Sequence, residues 1–84
     1  QLLFTQDRYG DTALHDAALG RGTDTVKTLL VILTPEQQLQ LLSLQNKKGI
    51  TAYMISNSET TTILEQYYKE AESIIYREFV KNKE

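Results

Sequence analysis

Apolar residues along this chain recur three and four positions apart, the spacing that gathers side chains onto one face of a helix. After the turn Gly10-Asp11-Thr12, the residues Leu14, Ala17 and Ala18 fit a helix over about Ala13–Leu19 with Thr12 as its N-cap. Gly20-Arg21-Gly22 breaks it. Thr23 or Asp24 then caps a second helix that places Val26, Leu29, Leu30 and Leu33 on one face. Thr34-Pro35-Glu36-Gln37 is a complete helix start: a capping hydroxyl, proline at the first helical position, and an acid and an amide in the first turn. The helix it opens carries Leu39, Leu41, Leu42 and Leu44, and is predicted to end near Gln45-Asn46. Thr60-Thr61-Thr62 is poor helix interior but acceptable helix start. From Ile63 a long amphipathic run follows through Leu64, Tyr67/Tyr68, Ala71, Ile74/Ile75 and Phe79, predicting a helix to about Lys81.

The pattern repeats. Laid over Gln40–Ala52, the segment Gln1–Ala13 matches at a fixed offset of 39 residues: Gln1/Gln40, Leu2/Leu41, Leu3/Leu42, Gln6/Gln45, Gly10/Gly49, Thr12/Thr51 and Ala13/Ala52 are identical. Asp7/Asn46 and Arg8/Lys47 are conservative pairs. A fixed period of this size is the mark of a helical array. The match opens part-way through a unit, so 1–6 reads as the tail of a preceding repeat. The first repeat is 7–33, an inserted helix occupies 34–45, the second repeat is 46–68, and a helical cap closes the chain over 69–84. In the second unit Tyr53 replaces Leu14, Met54 replaces His15, and Ser56-Asn57 replaces the alanine pair.

The string Asp7-x-x-Gly10-x-Thr12-x-Leu14-His15-x-Ala17-Ala18, followed by Val26 and Leu29-Leu30, resembles an ankyrin repeat, whose Thr-Pro-Leu-His-x-Ala signature it meets except that Ala13 replaces proline. The resemblance implies an all-α helix-turn-helix solenoid with loop or hairpin tips. Here it carries an extra short helix between repeats and a long C-terminal capping helix. Gly10, Thr12, Leu14, His15, Ala17, Ala18, Gly49 and Thr51 are its structural motif, with His15 holding the loop and helix start through hydrogen bonds. Two departures stand out. Arg21 occupies the family's inter-helix glycine, and the period exceeds the family's repeat of about 33 residues, with the excess falling where Pro35–Leu44 adds a helix.

Composition narrows the chemistry. With 84 residues there is room for one domain. A formal net charge of −2 leaves no dominant basic face for nucleic acid or an anionic membrane surface. Cysteine is absent, which removes disulfides, thiolate catalysis and cysteine zinc sites. The longest apolar run, Leu29–Leu33, is far too short to insert in a membrane, and the first residues carry no signal-peptide pattern, so a cytoplasmic setting is the default.

His15 beside Asp16 suggests a general base oriented by a carboxylate, but adjacent helical residues point about 100° apart and no serine or cysteine partner is marked. Asp7, Asp11, Asp16 and Asp24 lack the spacing and closing glutamate of a calcium loop. Gly20-Arg21-Gly22 lacks the strand and Lys-Ser/Thr ending of a phosphate loop. No cofactor or metal is expected. The resemblance implies instead a non-catalytic surface for another protein, on the loop tips and exposed first helices. Carried over by position, that face comprises Gln6, Arg8, Tyr9, Asp11, Leu19 and Gly20 from the first unit. From the second it takes Gln45, Lys47, Lys48, Ile50, Ser58 and Glu59. Two other classes stay open: a structural spacer or self-associating segment using the apolar stripe of the last helix, and part of an enzyme using His15.

Overall fold

Helices account for the architecture of the computed structural model, which describes residues 2–20 and 23–83 and has no strand among them. A 3-10 turn at Leu2–Phe4 is followed by α1 (Ala13–Leu19), α2 (Thr23–Val31), α3 (Pro35–Ser43), α4 (Ala52–Ile55) and α5 (Ser58–Lys83). The predicted break at Arg21-Gly22 and the matched Gln1 lie outside the described residues.

Two threonines set their helices as their side chains dictate. Thr12 accepts from the His15 backbone amide at 3.3 Å while the His15 ring accepts from the Thr12 amide at 3.1 Å, a reciprocal cap with histidine in the place usually taken by glutamate or glutamine. Thr34 and Gln37 make the same exchange at the head of α3.

Elsewhere the elements differ from expectation. Thr23 and Asp24 lie within the first turn of α2, not ahead of it as caps. Helix α3 stops at Ser43, because Leu44 is extended (φ −67°, ψ 129°) and delivers the chain into a loop closed by Asn46 and Ile50. Helix α4 is a single turn: Thr51 makes no side-chain cap, and Ser56 is already extended. Helix α5 starts five residues before Ile63, since Asn57 Oδ1 accepts from the Thr60 amide at 2.8 Å and anchors the threonine run as a first turn. The boundary placed after Tyr68 falls inside α5, which runs through it unbroken.

One core joins the elements. Leu14 and Ala18 of α1 pack with Val26 and Leu30 of α2, Leu41 and Leu42 of α3, Ala52 of α4 and Leu64 of α5, with Leu33 between α2 and α3. The small side chain of Ala18 keeps α1 close to its neighbours, α2 and α4. Helix α5 lies across α2, α3 and α4. At 26 residues it is about 39 Å long. It therefore outruns the core, whose last contribution from it is the buried Ala71. Beyond that point Tyr76 is 67% exposed and Phe79 55%. No helix among the described residues is long and apolar enough to cross a membrane.

Candidate functional site

The matched segments fold into matched loops. Asp7 Oδ1 accepts from the amides of Tyr9 and Asp11, both at 2.9 Å. At the same offset, Asn46 Oδ1 accepts from Lys48 at 2.9 Å and Ile50 at 3.0 Å. Backbone bonds repeat as well: Gly10 to Asp7 and Asp7 to Asp11 in one loop, Gly49 to Asn46 and Asn46 to Ile50 in the other. The conservative Asp7/Asn46 pair is thereby explained, because either side chain supplies the one carbonyl-type oxygen that folds the turn. Gly10 (φ +82°) and Gly49 (φ +76°) occupy the left-handed region that closes each loop.

Three rungs tie the loops together. The Lys47 amide donates to the Tyr9 carbonyl at 2.9 Å, Asn46 Nδ2 donates to Asp11 Oδ1 at 3.0 Å, and Gln6 Nε2 donates to the Gln45 carbonyl at 2.9 Å. A fourth bond comes from beneath. His15, fully buried, takes the Thr12 amide on Nδ1, which assigns its proton to Nε2, and Nε2 donates 2.8 Å to the Ile50 carbonyl. The histidine of the first unit thus holds the loop of the second. Both ring nitrogens are engaged this way, and neither bonds Asp16, whose side chain is exposed.

Five of the residues assigned to a partner face come together on this edge. Tyr9, Asp11, Lys47 and Lys48 line a recess of about 220 Å³, and the Arg8 guanidinium stands 4.9 Å from the centre of the Tyr9 ring. Others do not join them. Gln6 is exposed, yet its amide is spent on the carbonyls of Gly10 and Gln45, so it and Gln45 brace the loops. Ile50 is half-buried and serves through its carbonyl. Leu19 is 64% exposed but sits at the other end of α1 from Thr12, about 10 Å along the axis, followed by the exposed Gly20. Ser58 and Glu59 lie in the first turn of α5, beyond the whole of α4.

Sequence reading missed a groove of about 500 Å³ where α3, α4 and α5 meet, lined in part by Leu42, Tyr53, Leu64 and Tyr68. On its rim the Tyr53 hydroxyl donates to Glu65 Oε2 at 3.0 Å, and Lys69 Nζ lies 3.2 Å from Glu65 Oε1. Only the helix pair Glu65/Lys69 is visible locally; Tyr53 arrives from another helix. The Tyr53 bond, then Lys69, holds the Glu65 carboxyl below the ordinary carboxylate range, and the bond to Glu65 raises the Tyr53 phenol. The link's contribution is present above the pKa of a free glutamate and disappears as pH falls through Glu65's lowered value. At the other limit it is present below the pKa of a free tyrosine and disappears as pH rises through Tyr53's raised value. In a Tyr53→Phe variant, carboxyl NMR titration should find Glu65 moved up toward the ordinary range, with part of the depression left by Lys69. An unmoved Glu65 would show that the phenol does not bind it in solution.

Fold and site together define a class: a small all-helical domain with two paired, equivalent loop tips on one edge. No family model matches the chain, and neither a curated protein nor a solved structure matches it.

Proposed function

We propose that this chain is a pair of ankyrin-like repeats, with a helical insertion between them and a helical cap, that recognises another protein without catalysing a reaction on it. The observation that carries the reading is the duplicated loop, repeated bond for bond at the sequence offset and joined by the Lys47 amide to the Tyr9 carbonyl. Loops braced in this way present Arg8, Tyr9, Lys47 and Lys48 with little ordering left to do when a partner arrives. Arginine and tyrosine are also among the residue types that most often dominate binding energy. The non-catalytic reading is supported by His15, whose nitrogens are occupied in bracing the loops.

The test is the double variant Arg8→Ala/Tyr9→Ala. Both side chains are exposed, so its thermal stability should stay within about 0.5 kcal/mol of the parent. Affinity for a protein captured by the parent chain should fall at least about tenfold, or roughly 1.4 kcal/mol. Unchanged affinity with intact folding would remove this edge as the binding face.

A further inference from the structure

The exposed end of α5 carries a stripe whose charge order is complementary to its own reverse. Glu72, Tyr76, Phe79 and Lys83 are spaced four, three and four residues apart, the interval that keeps side chains on one seam between two paired helices. The stripe runs acid, aromatic, aromatic, base over about 16 Å. Tyr76 and Phe79 are mostly exposed, Val80 is 39% exposed beside them, and a recess of about 320 Å³ at their flank is lined by Leu39 and Ile75. The Lys83 ammonium stands 4.9 Å from the centre of the Phe79 ring. Among the described residues Glu72 has no ion-pair partner. Arg77 lies off this seam, with its guanidinium 3.9 Å from Glu70.

We propose that this stripe is a self-association surface, on which α5 of a second copy of the chain lies antiparallel. A two-fold axis between Arg77 and Glu78 sets Tyr76 against Phe79 of the second copy. It brings Glu72 to Lys83 of the second copy, and the symmetry repeats each pair. A parallel arrangement would instead stack Glu72 on itself and Lys83 on itself. The self-complementary charge order is what selects a second copy of this chain as the occupant. An aromatic side chain buries about 150–250 Å² when wholly covered. These rings are already partly covered, so the interface falls below about 1,200 Å², the range of weak and reversible contacts. The expected dissociation constant is about 0.1–1 mM.

Sedimentation equilibrium of the whole chain tests this. The average mass should rise from monomer toward dimer between about 20 µM and 1 mM. Glu72→Lys alone sets lysine against lysine, and Lys83→Glu alone sets glutamate against glutamate, so each variant should stay monomeric throughout. An equimolar mixture of the two restores both attractive pairs and should dimerise like the parent. All these positions are exposed, and an unchanged helical circular dichroism spectrum verifies that each variant is folded. A parent that stays monomeric at the highest concentration overturns the proposal. So does a single charge variant that dimerises as well as the parent, or a mixture that fails to associate.

Discussion

Replacing His15 by alanine is expected to cost the folded chain about 3 kcal/mol. The ring is completely buried and its two nitrogens serve groups 38 residues apart: the Thr12 amide on one side and the Ile50 carbonyl on the other. Alanine leaves the buried Thr12 amide and the half-buried Ile50 carbonyl unpaired, at about 1–3 kcal/mol for a buried group left unsatisfied, and opens a cavity where the ring stood. A chain of this size has a total stability of roughly 5–10 kcal/mol, so the loss is a large share of it. Urea unfolding followed by circular dichroism should show the midpoint falling in proportion. The position that matches His15 in the second unit supplies the control. Met54 is 63% exposed, and Met54→Ala should shift stability by about 0.5 kcal/mol or less. A His15→Ala cost below about 1 kcal/mol would mean that the histidine does not link the loops in solution.

The two loop glycines should respond unequally to the same substitution, although sequence alone makes them equivalents. Both have positive φ, so Gly10→Ala and Gly49→Ala each carry a left-handed penalty of about 1–2 kcal/mol. Gly49 has nothing within 4 Å of the added carbon, and the cost ends there. At Gly10 the new Cβ would stand 2.6 Å from the Lys47 backbone nitrogen and 3.0 Å from the Asn46 carbonyl carbon. Those atoms are backbone, and they yield only if the second loop is pushed away and the Lys47–Tyr9 bond breaks. Overpacking of this kind adds about 1–3 kcal/mol. Gly10→Ala should therefore cost about 3 kcal/mol and expose the Lys47 amide to rapid hydrogen exchange. Gly49→Ala should cost about 1 kcal/mol with that amide still protected. Equal costs, or a protected Lys47 amide in Gly10→Ala, would show that the loops are not in contact at this point.

The proposed binding edge was legible in part. Position in the repeat puts Arg8, Tyr9, Asp11, Lys47 and Lys48 on one face, and the structure brings them together. Position gives Gln6 and Gln45 to the same face, yet one donates to the other's carbonyl, a role that depends on the loops lying side by side. Leu19, Ser58 and Glu59 share that face by position alone and stand at other ends of their helices. The Tyr53–Glu65 bond has no local signal, because the two residues stand on different helices.

The sequence by itself determined what a side chain imposes within a few residues of its own backbone. Thr12 and Thr34 start helices, Asp7 and Asn46 fold loops, Gly10 and Gly49 close them, and the spacing of leucines marks which helical faces are buried. Only the tertiary structure decided that His15 reaches the Ile50 carbonyl. It also decided that Gly10, unlike Gly49, lies against another backbone. The division follows from range. A cap or a turn is a hydrogen bond closed over three or four residues, so local composition specifies it. Contacts across 35 residues or more form only once the packed leucines have set the distance between the segments.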